Sequence, residues 1–126
     1  IWRLFPGMPI ELYASALSFP KVKILILETF GAGNAFSDNA FQVLLSAFIQ
    51  EGGLVLNITQ CQSGAVRQGA YQTSTFFEQI GVISGADLTA EAALTKCMFA
   101  LANVEQAARA QYLRTSVVGE LSSPEK

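Results

Sequence analysis

Two uninterrupted apolar runs constrain the fold of this chain more than any other feature of its sequence. Residues 23–27 are apolar at every position after Lys23, and residues 53–58 repeat that signature with Asn57 as their one polar side chain. A strand with one solvent-exposed face alternates apolar and polar residues, whereas a continuous apolar run suits a strand in a parallel sheet that is covered by helices on both faces. Residues 1–5 predict a third strand, and residues 81–84 predict a short fourth strand.

Helical periodicity separates the predicted strands. Apolar residues from Phe41 to Ile49 recur at three- and four-residue spacing, between an N-cap at Ser37 or Asp38 and a stop at Gly52, which predicts an amphipathic crossover helix. Further helices are predicted over residues 9–17, 72–79 and 89–101, and from an Asn103 cap to about Arg114. One face of the helix over residues 89–101 is predicted to carry Leu94, Cys97, Met98 and Leu101.

The alternation of strands and helices predicts an α/β fold, because parallel neighbours require right-handed crossovers of about a dozen residues. We expect a three-layer sandwich with a mostly parallel four-stranded sheet, of the flavodoxin-like or Rossmann-like kind. A chain of 126 residues suits one domain, which we place at residues 1–117. Residues 118–126 are predicted to form a tail, frayed after Gly119.

Composition argues against some classes of binding partner and favours one cellular compartment. A net charge of -2 without a basic stripe argues against nucleic acid and against an anionic membrane surface, and the apolar runs are too short to span a bilayer. With 51% apolar residues, we expect some surface to meet a partner. Cys61 and Cys97 show neither a disulfide nor a zinc spacing, which favours a reduced, cytoplasmic setting. The chain opens at Ile1 inside a predicted strand, which we interpret as a piece of a longer polypeptide.

A glycine loop follows the first long strand. Gly31 and Gly33 begin like a dinucleotide fingerprint, but Phe36 stands at the third glycine position and the next strand ends without an acidic residue, so no nicotinamide cofactor is expected. The alternative interpretation is that these glycines only permit a tight strand-to-helix turn.

A polar cluster follows the second long strand. Thr59, Gln60, Cys61 and Ser63 offer hydroxyl and amide groups suited to a small polar ligand. A hydrogen-bonded turn with Cys61 as a small core residue explains the same pattern.

Nucleophilic chemistry finds little support in the chain itself. The absence of histidine removes Ser-His-Asp and Cys-His machinery and gives no reason to expect a metal. Thr95 and Lys96 are neighbours on a predicted helix, point in different directions, and are interpreted as surface and packing residues.

Three ordered strings make the sequence recognisable. They are residues 27–35 (LETFGAGNA), residues 57–64 (NITQCQSG) and residues 81–89 (GVISGADLT). Together with residues 91–96 and the Gly119-Glu120-Leu121 ending, they resemble the C-terminal half of type I, cytosolic bacterial L-asparaginases, over nearly the whole chain.

The resemblance implies a two-lobe amidohydrolase that hydrolyses L-asparagine through a threonine nucleophile in an N-terminal catalytic lobe, with no cofactor. No catalytic residue is then expected in this chain, which would be inactive alone. The resemblance further implies that this lobe closes a neighbouring subunit's active site within a homodimer or homotetramer. Asn34 and Tyr71 would lie nearest that shared site, although Tyr71 stands where the periplasmic branch carries a glutamate.

Some type I members also have a regulatory asparagine site, and the resemblance places it at Glu28, Thr59, Gln60 and Cys61. Regulated members carry arginine at the first of these positions, where a guanidinium grips the ligand's carboxylate. Because Glu28 reverses that charge, we expect weak or absent asparagine binding there.

Two other functions remain open at the level of sequence. One is a stand-alone regulatory module that binds a small molecule such as an amino acid. The other is an assembly module whose phenylalanines form a subunit interface.

Overall fold

The computed structural model describes residues 1–62, 64–66 and 72–122. Strands and helices alternate along this part of the chain until two helices end it. In chain order the elements are β1 (Trp2–Arg3), α1 (Ile10–Ala14), β2 (Ile24–Thr29), α2 (Asn39–Gln50), β3 (Leu54–Thr59), α3 (Gln72–Ile80), β4 (Ile83–Ser84), α4 (Ala90–Asn103) and α5 (Gln106–Arg114).

The sheet is parallel throughout, with its four strands in the order β1-β2-β3-β4. The two long strands pair along their whole length, from Ile24 opposite Leu54 to Thr29 opposite Thr59. The predicted α/β class is therefore confirmed. Because the order follows the chain without a reversal, the sheet lacks the crevice that opens at a switch point in doubly wound folds. The loops that follow the parallel strands still gather at the carboxyl edge of the sheet, where ligands of such folds bind.

Helices cover the sheet on both faces. Alternate strand residues divide between two apolar clusters: Leu25, Leu27 and Val55 belong to one cluster, and Ile26, Leu56 and Ile58 belong to the other. The first cluster includes side chains of α2 and α3, and the second includes side chains of α4 and α5. Each buried leucine or isoleucine contributes about 1.5–3 kcal/mol relative to an exposed position. Burial on both faces explains why the two runs are apolar without alternation.

The crossover helix α2 forms as its sequence predicts. The side chain of Asp38 accepts a hydrogen bond from the backbone N–H of Phe41 at 3.1 Å, which caps the helix. Its inner face buries Phe41, Leu45 and Phe48. A Cβ atom at Gly53 would lie 2.3 Å from the Phe48 ring, so the return to β3 requires a glycine.

Helix α4 presents a different face to the core from the predicted one. The buried positions are Ala93, Lys96, Cys97 and Ala100. The predicted face is wrong except at Cys97, because its other members are exposed, Leu94 by 42%, Met98 by 61% and Leu101 by 37%. Alanines on the inner face let the helix axis approach the sheet closely, and that packing outweighs the larger apolar area of the leucines. Asn103 ends α4, and the N-cap of α5 is Glu105.

Thr95 is exposed and Lys96 is buried, in agreement with the interpretation of this pair as surface and packing residues. An ion pair joins the Lys96 ammonium to the carboxylate of Glu120, which the sequence does not predict. The same ammonium donates to the carbonyl oxygen of Thr115 at 2.7 Å and lies 4.8 Å from the centroid of the Tyr112 ring. These contacts satisfy a cation that is almost fully buried.

Residues 115–122, which we call the C-terminal clasp, are held against α4 and the loop before it. The Glu120 carboxylate also accepts from the backbone N–H groups of residues 117 and 118. The N–H of Ser122 donates to Asp87 at 3.0 Å, and Leu121 joins the second apolar cluster. The expectation of a frayed tail from Gly119 is therefore wrong for residues 120–122.

Candidate functional site

The glycine loop, residues 30–34, is a tight hairpin at the carboxyl edge of the sheet. Phe30 and Asn34 exchange backbone hydrogen bonds, each of 2.8 Å, and the N–H of Gly33 donates to the carbonyl of Phe30 at 3.0 Å. Gly31 and Gly33 have φ angles of +49° and +109°, in the region that disfavours side chains. The glycines therefore do make the tight turn that was one interpretation of their spacing.

The glycine loop lies directly over the end of β3. A Cβ atom at Gly33 would lie 2.8 Å from Cγ1 of Val66 and 3.4 Å from Nδ2 of Asn57. Val66 is itself held by the loop that follows β4, because its N–H donates to the carbonyl of Ala86 at 2.9 Å. The absence of a side chain at residue 33 thus lets three segments meet at the sheet edge.

A buried polar pair lies beneath the glycine loop. The Thr29 hydroxyl donates to Oδ1 of Asn57 at 2.7 Å and also lies 3.2 Å from the carbonyl oxygen of Ile58, and both polar side chains are fully buried. Among the described residues, Nδ2 of Asn57 has no hydrogen-bond partner. Sequence reasoning missed both residues as site components, although a lone asparagine inside an apolar strand was a usable signal.

The polar cluster after β3 holds neighbouring loops together. The Thr59 hydroxyl donates to the carbonyl of Gly31 at 2.5 Å and accepts from the N–H of Cys61 at 3.0 Å. The Gln60 side-chain amide donates to two backbone carbonyls, that of Leu4 at 2.6 Å and that of Glu28 at 2.8 Å. These contacts match the hydrogen-bonded turn, except that Cys61 is exposed and is not a core residue.

Glu28 is brought next to the polar cluster and also faces a cation. It is the register partner of Arg3, and Nε of Arg3 lies 3.6 Å from the Glu28 carboxylate. The Arg3 side chain is 65% exposed, so water screens this pair and it adds little to stability. Glu28 therefore meets Gln60 only through its backbone carbonyl, whereas its carboxylate faces Arg3.

Of the two residues that the resemblance places near a shared active site, Asn34 is half-buried at the end of the glycine loop. Tyr71 lies outside the described residues. A surface pocket of about 640 Å³ opens between the connections that follow β1 and β2, and its lining includes Ala35, the residue after Asn34, but not Asn34 itself. Its lining includes Met8 and Phe36 as apolar groups and Glu11 and Asp38 as carboxylates.

The described residues contain neither a metal-binding cluster nor a membrane-spanning helix. No group of three or more histidine, cysteine, aspartate or glutamate side chains there could hold a metal ion. No helix in the described part of the chain is both long enough and apolar enough to cross a membrane.

Comparison with known proteins identifies relatives of this chain. It is 42% identical over 98 residues to L-asparaginase 1 of Escherichia coli (strain K12), a match that takes in 78% of this chain and 29% of that protein. It is 34% identical over 124 residues to the 60 kDa lysophospholipase of Homo sapiens, with coverage of 97% and 21%. The crystal structure of L-asparaginase I from Vibrio cholerae superposes with a TM-score of 0.87 at 35% identity, over 97% of this chain and 37% of that one.

The chain thus spans less than two-fifths of the length of each of these relatives. The family model for the glutaminase/asparaginase C-terminal domain matches residues 1–113, nearly all of the folded region. This chain belongs to the glutaminase/asparaginase C-terminal domain family.

Proposed function

We propose that this chain is the C-terminal lobe of an L-asparaginase, which hydrolyses L-asparagine with water to L-aspartate and ammonia. The observation that carries the proposal is the match to L-asparaginase I of Vibrio cholerae, because one alignment covers 97% of this chain with a TM-score of 0.87. The 42% identity to the Escherichia coli enzyme supports the same activity. The hydrolytic reaction itself requires no cofactor.

The chemistry of this chain fits a supporting role in that reaction. It has no histidine, and its threonines at the sheet edge are occupied, Thr29 by Asn57 and Thr59 by the glycine loop. We place the nucleophile in an upstream lobe, with residues 1–117 as the body of the present domain and residues 118–126 as a C-terminal segment, of which residues 118–122 belong to the clasp. The protein acts in the cytoplasm as a homodimer or homotetramer in this proposal.

Asn34 is the residue of this lobe that we assign to the substrate site, together with Tyr71. A carboxamide can donate to a substrate carboxylate and accept from a substrate ammonium, so Asn34 suits an amino acid ligand. Its backbone is fixed by the exchange of hydrogen bonds with Phe30, which holds the residue at the carboxyl edge of the sheet. In this proposal Asn34 reaches the active site of a neighbouring subunit.

We also propose that the regulatory site is inactive in this protein. The Glu28 carboxylate repels a ligand's carboxylate, and the donors of Thr59 and Gln60 already hold backbone carbonyls. A ligand would have to break those bonds before it could use the groups. Titration calorimetry of the full-length protein with L-asparagine, after the active site is blocked by a covalent substrate analogue, should show no second binding event. A tight second event that Glu28→Ala abolishes would contradict this proposal.

The experiment that tests the enzymatic function is an assay of ammonia release from L-asparagine by the full-length protein. We expect activity in the full-length protein, none in residues 1–126 alone, and a raised KM in Asn34→Ala. Asn103→Ala is the matched control, because Asn103 is an exposed asparagine at the end of α4. A folded but inactive full-length protein would overturn the proposal and favour the small-molecule binding module.

A further inference from the structure

The two helical layers cover the sheet unequally. On one face lie α1, α2 and α3, the helices of the three crossovers. They cover β1 there, where Leu4 is buried and the Trp2 and Tyr13 rings meet edge-on with centroids 5.3 Å apart. On the other face, α4 contacts β2 and β3, and α5 contacts β4. Strand alternation places Arg3 on this second face, and the flanking residues Ile1 and Phe5 belong to neither apolar cluster.

The second face of β1 is exposed and mostly apolar. Ile1 is 57% exposed and Phe5 is 44% exposed. Arg3 stands between them with its charge partly balanced by Glu28, at 3.6 Å. Parallel sheets are normally covered on both faces, so this strip of sheet is an exception that needs an explanation.

The neighbouring flank of α4 extends the same surface. Phe99 stacks on Tyr112 of α5, with ring centroids 5.7 Å apart, which fixes the flank of α4 that faces α5. Leu94 and Leu101 lie on the opposite flank, toward β1, with Met98 above them. All three are exposed in this chain. We define the β1 shelf as Ile1, Arg3, Phe5, Leu94, Met98 and Leu101.

We propose that the β1 shelf is the docking surface for a segment of the same polypeptide that lies upstream of residue 1. This inference rests on the proposed function, which requires an upstream lobe. The family model describes a C-terminal domain, and the matched region makes up only 29% of the Escherichia coli relative, so most of such a chain lies upstream.

The shelf also defines the chemistry of its occupant. A covalent link to Ile1 holds the upstream segment at a high effective concentration, so a modest apolar contact is enough to keep it bound. The four aliphatic side chains and Phe5 suit the apolar side of an amphipathic segment, which would complete the missing cover of β1. An acidic or amide group in that segment would lie opposite Arg3.

Hydroxyl-radical footprinting of the unmodified full-length protein tests the inference, because the shelf contains its own probes. We expect loss of labelling at Phe5, Leu94 and Met98, while Leu12 and Val43 stay labelled. The two control residues lie on α1 and α2 and are 72% and 59% exposed. Labelling of the shelf at the rate of the controls would overturn the inference.

A dilution series separates the upstream segment from a second copy of the chain. Protection by a segment of the same polypeptide does not change on dilution, whereas protection that disappears as oligomers dissociate would assign the shelf to a subunit interface and overturn the inference. The footprinting readout needs no catalysis. A protected shelf in a protein without asparaginase activity would therefore reject the proposed activity and leave the docking surface in place.

A variant tests whether the upstream segment and the present domain unfold together. Met98→Glu places a charge on the shelf, and we expect it to split a single calorimetric unfolding transition of the full-length protein into two. Leu12→Glu is the matched control on the opposite layer and should leave one transition. Identical thermograms for the two variants would contradict the docking of an upstream segment.

Discussion

The hydroxyl of Thr29 donates to the side-chain oxygen of Asn57 at 2.7 Å, across the ends of the two central strands. Both residues are fully buried, and Asn57 Nδ2 lies next to the space that Gly33 leaves open. A buried carboxamide with one satisfied atom is costly, so this pair depends on the threonine. The pair also supports the glycine loop that carries Asn34.

Replacement of the two partners should have unequal effects on stability. Thr29→Val leaves both side-chain polar atoms of Asn57 without partners among the described residues, and we expect it to lower the free energy of unfolding by about 1–3 kcal/mol. Asn57→Leu removes the orphaned amide and leaves the Thr29 hydroxyl near the carbonyl of Ile58, so its cost should be smaller. Urea unfolding of both single variants and the double variant measures the difference. Equal and additive losses would show that the pair is not coupled.

Alanine substitution in the glycine loop should distinguish steric overlap from backbone strain. Gly31→Ala meets open space and should cost about 1 kcal/mol because of its left-handed backbone conformation. Gly33→Ala combines overlap with Val66 at 2.8 Å with a more strained φ of +109°, and together these should cost about 1–3 kcal/mol more. Thermal unfolding of the two variants checks the order. If Gly31→Ala were the more damaging change, the packing of the loop on Val66 would not be its main constraint.

Acid should weaken the C-terminal clasp. The hydrogen bond from Lys96, together with the N–H groups of residues 117 and 118, lowers the pKa of Glu120 from 4.5 to about 2. Because the folded pKa is the lower one, this contribution to stability is complete above about pH 4.5 and is lost as the pH falls toward 2. Denaturant unfolding across this range should therefore show a shallower pH dependence in Glu120→Gln than in the unmodified chain.

A control is needed because Asp87 titrates in the same direction. Its pKa is lowered by the hydrogen bonds from Ser122. Asp87→Asn removes that contribution and leaves the Lys96–Glu120 pair intact, so its pH dependence should remain steeper than that of a double variant. A Glu120→Gln profile that matches the unmodified chain would mean that the ion pair does not stabilise the fold.

The two cysteines should react with alkylating reagents at very different rates. Burial raises the pKa of Cys97 to about 11, so almost no thiolate is present at pH 8, and the side chain is also shielded. Cys61 is exposed after β3. Peptide mass spectrometry after brief iodoacetamide treatment should find the label on Cys61, with none on Cys97 until denaturant is added. Native labelling of Cys97 would indicate that α4 opens readily.

Local patterns were sufficient to predict the central elements of the fold. The apolar runs predicted β2 and β3, and the spacing from Phe41 to Ile49 after an Asp38 cap predicted α2. Each of these signals lies within about a dozen residues. The inner face of α4 was missed because the larger apolar area of Leu94 made it the better core candidate. In the structure Ala93 is buried, since its small side chain lets the helix pack closely against the sheet.

Long-range contacts could not be read from the sequence. Lys96 and Glu120 are 24 residues apart, and neither residue alone indicates a buried pair. The Thr29–Asn57 bond spans 28 residues and depends on strand register. For the site, the grouping of Glu28 with residues 59–61 stays a prediction, and the hydrogen bonds by which Thr59 and Gln60 hold neighbouring loops depend on the loop geometry.

The sequential strand order has a consequence for synthesis on the ribosome. Each crossover lays the next strand beside the one just made, so the sheet can grow outward as the chain emerges, and no strand waits for a later one to be inserted beside it. Helices α1 to α3 emerge with the strands, whereas α4, α5 and the clasp come last. A nascent chain halted after β4 would therefore expose one apolar face of its sheet until α4 and α5 emerge to cover it.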